Sequence, residues 1–334
     1  MNTADSIPAP QLLDPKPDSR FDYRALAPAK INLFLHITGQ RANGYHELQT
    51  VFQFVGLHDE LGFRLCDTPD ISLDTAYDEV VADDNLVLRA ARALQAASGY
   101  RGGCELSLEK SIPSGAGLGG GSSDAATTLV VLNHLWDTRF SLRQLQELAV
   151  ELGADVPVFV AGHACWAEGI GENFEAFSPP EDWYLLVYPG VRVGTAEVFG
   201  APQLTRNCSP ITIRDFVAGA GGNVCEPVVL KQFAQVRSVH QIMLLAIERL
   251  QPQYTGSETV ALQVRMTGTG SCLFVSCENR EQALKLYEAF KECSAQAIST
   301  AGTEASPGRE AESDWPTGIE AFTVPGLNRS SLYR

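Results

Sequence analysis

The sequence predicts a globular protein of interleaved strands and helices, laid out as two successive halves. Three observations carry that expectation. Hydrophobic residues fill 45% of the 334 positions, enough for a sizeable core. Runs that alternate every second residue sit between runs with the 3.6-residue period of a helix. Around residues 176 to 184 the stretch FSPPEDWY breaks both patterns as a linker does, and WYLLVYPG then opens a second set of elements.

Residues 1–23 carry acids and prolines without an apolar run. They read as a disordered lead-in, neither a signal nor a transit peptide. Order begins near Tyr23. In ALAPAKINLFLHITGQ, Ile31, Leu33, Leu35 and Ile37 face one way and Lys30, Asn32, Phe34 and His36 the other, a strand pattern. Asn43-Gly44 is a hairpin turn signal, and LQTVFQFV is the returning strand. An acidic stretch containing PDISLDTAYDEVVADD follows. NLVLRAARALQAAS reads as a helix stopped by Gly99, and CELSLEKSI as a strand.

A glycine loop, PSGAGLGGGSSDAA, comes next, with Ser122 or Ser123 as cap of a buried helix, DAATTLVVLNHLW. A second helix begins at Ser141 with Gln144 in capping-box spacing. Leu142, Leu145, Leu148, Ala149 and Leu152 form its apolar face, and Gly153 ends it. The second half holds the helix KQFAQVRSVHQIMLLAIERL, the cluster MTGTGSCLFVSC and the helix REQALKLYEAFKEC. Residues 294–316, small and acidic, read as a disordered insert. The expected units are therefore 24–175 and 176–334.

A formal charge of −15 disfavours nucleic acid as a partner. A phosphate binder with that charge must rely on local amides and a few lysines. No window approaches the ~20 apolar residues of a membrane helix, so no membrane partner is expected. The eight cysteines show neither C-x-x-C nor zinc spacing. Reduced thiols in a cytoplasmic protein are the expectation.

The glycine loop matches the dinucleotide fingerprint in spelling only. That fold needs a strand after the loop's helix, with an acid about 20 residues on. Here a second helix follows. A Walker A loop needs a lysine after its glycines, and a protein kinase needs H-R-D and D-F-G motifs. The chain has none of these. What remains is an anion site of unpaired amides at a helix N-terminus, where the helix dipole adds about half a positive charge.

Three separated segments, PAKINLFLHITGQRANGYHELQTVF, IPSGAGLGGGSSDAATTLVVLN and MTGTGSCLFV, resemble the three motifs of the GHMP kinases, the superfamily of galactokinase, homoserine kinase, mevalonate kinase and phosphomevalonate kinase. NGYHELQTVF and LGADVPVFVAGHACWAEGIGE are similar to the branch that acts on a cytidine diphosphate-linked methylerythritol. The resemblance runs from about Arg24 to the end, outside the lead-in and the insert. It implies an α+β fold of two domains with the active site in the cleft between them. It also implies transfer of the γ-phosphoryl of ATP to the 2-hydroxyl of the methylerythritol unit, in the non-mevalonate isoprenoid pathway. Mg2+ would be carried on the ATP, with Ser122 or Ser123 as a ligand, because no metal cage is visible.

The resemblance places Lys30 at the catalytic lysine and Asp155 at the catalytic aspartate. Phosphoryl transfer asks a protein mainly to position groups and neutralise charge. An ordinary carboxylate is a weak base towards an alcohol, so orientation is the larger role expected of Asp155. Pro113, Gly115, Gly117, Leu118, Gly119, Gly120, Gly121, Ser122 and Ser123 become the ATP cradle. Lys110 lies beside it, and Asn85 and Leu86 border the adenine. Asn32, Tyr45, His46, Phe52, Thr195, Phe199, Gly268, Thr269 and Gly270 go to the substrate. Tyr45 would stack on the cytosine, His46 pair with its polar edge and Phe199 oppose it. Without the resemblance, a strand lysine is ordinarily a solvated edge group and an aspartate before Val-Pro a turn former.

Three other readings stay open. A mevalonate-type or homoserine-type kinase shares the motifs, though Tyr45-His46 argues against it. A nicotinamide oxidoreductase is disfavoured by the helix-after-helix order. A non-catalytic nucleotide-binding module is disfavoured by the presence of both Lys30 and Asp155.

Overall fold

A computed structural model describes residues 7–42, 44–74, 85–250, 262–302 and 318–333. In chain order the first half holds β1 (Tyr23–Gln40), β2 (His46–Cys66), β3 (Ile71–Asp74), α1 (Leu86–Ser98), β4 (Gly103–Glu109), α2 (Gly120–Leu135), α3 (Leu142–Leu152), α4 (Val156–Ala161), β5 (Cys165–Gly169) and β6 (Asn173–Ala176). The second half holds β7 (Trp183–Tyr188), α5 (Thr195–Gly200), α6 (Ile213–Val217), α7 (Glu226–Gln232), α8 (Ala234–Leu250), β8 (Arg265–Met266), β9 (Leu273–Cys277), α9 (Arg280–Gly302) and β10 (Glu320–Leu327).

β2 is the spine. One edge pairs antiparallel with β1 from Phe63 opposite Tyr23 to His46 opposite Gln40. The other edge takes β5 at residues 48–52, β10 at Phe54 and Val55, and β4 at residues 60–66. β10 carries the pairing into the second half, where the order continues through β7 and β9 to β8. A strand paired on both edges and covered on both faces reads as a continuous apolar run. VFQFV is such a run, and all five of its residues are buried.

Two cores flank this frame. In the first, Leu94 of α1, Leu129 and Val130 of α2 and Phe159 of α4 pack on Phe63 and Leu106 of the sheet. In the second, Val239 and Ile247 of α8 pack with Leu286 and Phe290 of α9. Each such side chain, fully buried, contributes about 1.5–3 kcal/mol. Residues 123 to 132 of α2 are all buried, so this helix is central and has no polar face. α3 keeps one apolar face, with Leu145, Ala149 and Leu152 buried, and its Ser141–Gln144 capping box is formed.

The structure departs from the sequence reading in several places. β1 does not simply alternate. Register shifts interrupt it, one of them between Asn32 and Leu35, and Phe34 joins Ile31 and Leu33 in one cluster. α2 begins at Gly120, before the serines, and its cap is Gly119 with no side-chain bond. The glycines already supply the left-handed entry, so Ser122 and Ser123 sit inside the first turn. β3, hidden in the acidic stretch, pairs parallel with β4. The long helix expected at residues 231–250 breaks at Phe233, which is extended.

The lead-in is placed from residue 7. Leu13 bridges Arg24, Gln11 donates to the Leu332 carbonyl at 2.6 Å, and Ile7 and Leu12 pack on the first core. α9 runs through residues 294–302 of the expected insert, with Ser294 buried. Residues 303–316 and Asn43 of the predicted turn lie outside the described residues, while Gly44 has φ 88°. The tail after β10 returns to the first core, where Leu332 and Tyr333 are buried.

Candidate active site

The glycine loop is fixed from its carbonyl side. The Gly115 carbonyl accepts from Val193 N–H at 3.3 Å, that of Ala116 from Cys272 N–H at 3.0 Å, and that of Leu118 from Lys30 N–H at 3.0 Å. The first intrahelical amide bond of α2 is Ser123 to Gly119. The amides of Gly120, Gly121 and Ser122 therefore have no acceptor within the helix, at a cavity all three residues line. Gly119 has φ 73°. A Cβ there would stand 2.8 Å from the Phe159 ring and 3.0 Å from Lys30 Cε. Only glycine fits that corner.

Lys30 and Asn32 come from the central part of β1, buried although polar. Lys30 Nζ donates to Asn32 Oδ1 at 2.7 Å and to the Gly117 carbonyl at 3.1 Å, and it lies 3.3 Å from Asp155 Oδ2. Asn32 is held in turn: its N–H donates to Thr267 Oγ1 at 2.8 Å and its Nδ2 to Thr50 Oγ1 at 2.9 Å. The side chain of Lys30 is 4% exposed and that of Asp155 37%. The ammonium is thus pre-positioned inside the wall, while the carboxylate faces the cavity. Asp155 stands at the start of α4 and makes no capping bond there, so its side chain is available to the site.

Beside the loop, Lys110 Nζ pairs with Asp59 and with Asp124, the latter at 2.8 Å. Asp59 also accepts from the Ser111 and Ile112 amides at 2.6 and 2.8 Å, which anchors the entry to the loop. Burial disfavours the Lys110 charge, but the two carboxylates outweigh it and hold its pKa above the ordinary value. Burial, with Asp59 nearby, raises the Asp124 carboxyl despite Lys110.

The opposite end of the cavity is aromatic. His46 from β2 and Phe199 from α5 have ring centroids 5.1 Å apart, tilted by 39°. Tyr45 beside them is 59% exposed. Arg206 Nε donates to His46 Nε2 at 3.1 Å. Thr195 and Thr269 hydroxyls meet at 3.1 Å, joining α5 to the second glycine cluster.

A cavity of roughly 1120 Å³ connects these parts. Lys30, Asn32, Tyr45, His46, Phe52, Leu86, Lys110, Pro113, Gly115, Gly117, Leu118, Gly119, Gly120, Gly121, Ser122, Asp155, Thr195, Phe199, Gly268 and Thr269 all line it. Three residues assigned from sequence stand apart. Ser123 is fully buried, Asn85 spends its side chain capping α1 through Val87 N–H, and Gly270 lies outside the lining. Sequence reasoning missed Asp59, Asp124 and Arg206. Asp59 sits between His58 and Glu60 and Asp124 directly after two serines, with nothing local to mark either as a partner of Lys110, and Arg206 lies in an irregular loop without a motif. Among the described residues no group of three His, Cys, Asp or Glu is placed to hold a metal ion.

Residues 85–163 match the family model of the GHMP kinases N-terminal domain. A 4-diphosphocytidyl-2-C-methyl-D-erythritol kinase of Ectopseudomonas mendocina is 48% identical over 260 residues, 78% of this chain and 84% of that protein. One from Nitrosococcus oceani is 50% identical over 258 residues, 77% of this chain and 87% of that protein. A crystal structure of 4-(cytidine 5'-diphospho)-2C-methyl-D-erythritol kinase superposes with a TM-score of 0.68 at 30% identity, covering 90% of this chain and 98% of that one. A glycine loop feeding α2, with a buried lysine beside it, thus stands in a GHMP kinase fold. Identity near one half over most of both chains narrows this further. The chain belongs to the 4-diphosphocytidyl-2-C-methyl-D-erythritol kinase family.

Proposed function

We propose that this protein transfers the γ-phosphoryl of ATP to the 2-hydroxyl of 4-diphosphocytidyl-2-C-methyl-D-erythritol, giving the 2-phosphate and ADP, a step of the non-mevalonate isoprenoid pathway. The observation that carries this reading is one cavity with a glycine-loop helix start and the Lys30–Asp155 pair at one end and the His46–Phe199 ring pair at the other. A substrate with a base at one end and an alcohol at the other suits that length.

In this reading the amides of Gly120, Gly121 and Ser122 hold the ATP phosphates, with Pro113, Gly115, Gly117, Leu118 and Gly119 shaping the loop and Leu86 bordering the adenine. Lys110 shapes the loop through its ion pairs. Lys30 neutralises the charge of the transferring group, and Asp155 orients the acceptor hydroxyl and takes its proton. Asn32 and Phe52 fix Lys30, the latter with its ring centroid 5.4 Å from Nζ. Tyr45, His46 and Phe199 receive the cytosine, and Thr195, Gly268 and Thr269 line the passage between the two ends. Mg2+, when bound, neutralises the polyphosphate. Having no acidic cage among the described residues, the site suits an ion carried by ATP, with the Ser122 hydroxyl in the first turn of α2 as its protein oxygen.

A cytoplasmic setting fits the described cysteines, all eight of them free. Among the described residues no helix is long and apolar enough to cross a membrane. The charge of −15 argues against nucleic acid. ATP consumption with 4-diphosphocytidyl-methylerythritol, mevalonate and homoserine tests the reading. Turnover is expected with the cytidyl compound alone. Comparable turnover with mevalonate or homoserine overturns it.

A further inference from the structure

We propose that Arg206 is a positioning residue for base recognition: it fixes His46 as the Nδ1–H tautomer and straps that ring to the Phe199 wall. The proposal rests on the reading of His46 and Phe199 as the base subsite. A guanidinium N–H can only donate. Because Arg206 Nε points at His46 Nε2 at 3.1 Å, that nitrogen offers its lone pair, and the proton of the neutral imidazole sits on Nδ1. The rest of the fork grips the turn after α5. Nη2 donates to the Phe199 and Ala201 carbonyls at 2.7 and 2.9 Å, and Nη1 to the Leu204 carbonyl at 3.1 Å.

One planar side chain thereby joins β2 of the first half to α5 of the second, at the two rings that face each other across 5.1 Å. Lysine has neither the planar fork nor the reach of several fixed donors for this task. Burial first, and the Arg206 charge second, keep the His46 pKa below its ordinary value, which favours the neutral ring this bond requires. Freed of Arg206, the ring can take the Nε2–H tautomer and rotate off Phe199. The base subsite then loses both its donor at Nδ1 and its shape.

The test is the ring-nitrogen 15N spectrum of the full chain labelled in histidine, with His46 assigned by its loss in His46→Asn. A protonated Nδ1 and an unprotonated Nε2 are expected in the unliganded protein, and the reverse overturns the proposal even if no Arg206 variant folds. Arg206→Met is expected to raise KM for 4-diphosphocytidyl-methylerythritol roughly tenfold, the worth of one well-made hydrogen bond. KM for ATP and kcat should stay within about twofold. In the His46→Asn background the same change should add less than it costs alone, because it acts through His46. Fully multiplicative effects, or equal changes in both KM values, contradict the role. If His46→Asn leaves the cytidyl KM unchanged, the base-subsite reading itself fails. The spectrum then still decides the tautomer separately.

Discussion

At the scale of single residues, the site separates two kinds of buried charge. Lys30 is enclosed by Asn32, the Gly117 carbonyl and Asp155, so its position is set before substrate arrives. Lys110 instead lies between two buried carboxylates, Asp59 and Asp124. Asp124 is the weaker partner: its Oδ1 has no hydrogen-bond partner among the described residues, and burial pushes its carboxyl up to about 7. Its folded pKa lies above that of a free aspartate. The folded state therefore holds an extra proton between about pH 4 and pH 7, and stability falls as pH rises through that window. Asp124→Asn removes this loss, so its thermal midpoint should equal or exceed the parent's at pH 8 and change less between pH 4 and pH 7. Asp59→Asn should cost about 2–4 kcal/mol, because the Ser111 and Ile112 amides lose a charged acceptor along with Lys110. Thermal melts of the two variants decide it. Equal losses would make Asp124 the ionised partner.

At the scale of elements, the glycine loop and α2 show what glycine is for. Gly119 has no room for a Cβ, and its φ of 73° strains any other residue. Gly121 lies in α2, where an added Cβ would meet Leu86 Cδ1 at an ordinary 3.6 Å. Gly119→Ala is thus expected to lower kcat/KM more than about tenfold, since it pushes on Lys30 itself. Gly121→Ala should stabilise the fold by up to ~1 kcal/mol while raising the ATP KM, because the methyl then stands against Leu86, which the proposed function puts beside the adenine. Melting curves with steady-state kinetics check both. The loop, its strand and the helices on either side were legible because glycine spacing, the Gly99 stop and the Ser141 cap act locally. The start of α2 was misread for a related reason. Serine is the common cap, but Gly119 already provides the turn. Lys30 and Asp155 carried a role in the sequence only through the resemblance, since 125 positions of chain separate a pair that packing brings to 3.3 Å. Arg206 and Asp59 carried no local signal, because their meaning lies in partners far along the chain.

At the scale of the whole molecule, the chain closes on itself. β10 bridges the two halves, and the tail beyond it inserts Tyr333 into the first core, where its hydroxyl donates to the Val160 carbonyl at 2.7 Å. We propose that the two sequence-defined units, 24–175 and 176–334, are therefore not separable at residue 176. Tyr333 packs against Gly162, a few residues beyond Asp155, so the last turn of the chain supports the element that bears the carboxylate. Tyr333→Ala should cost about 3–5 kcal/mol, read as a lowered thermal midpoint, and a loss under ~1 kcal/mol would contradict this support. The same closure brings β1, α2, α4 and α5 around one cavity, and the account rests on what the Lys30–Asp155 pair does there. The most direct test is the single-turnover rate of Asp155→Asn with ATP and 4-diphosphocytidyl-methylerythritol both saturating. The account predicts a folded protein whose transfer rate falls by at least ~100-fold while the KM for each substrate changes little. A variant that retains near-parental turnover would contradict it.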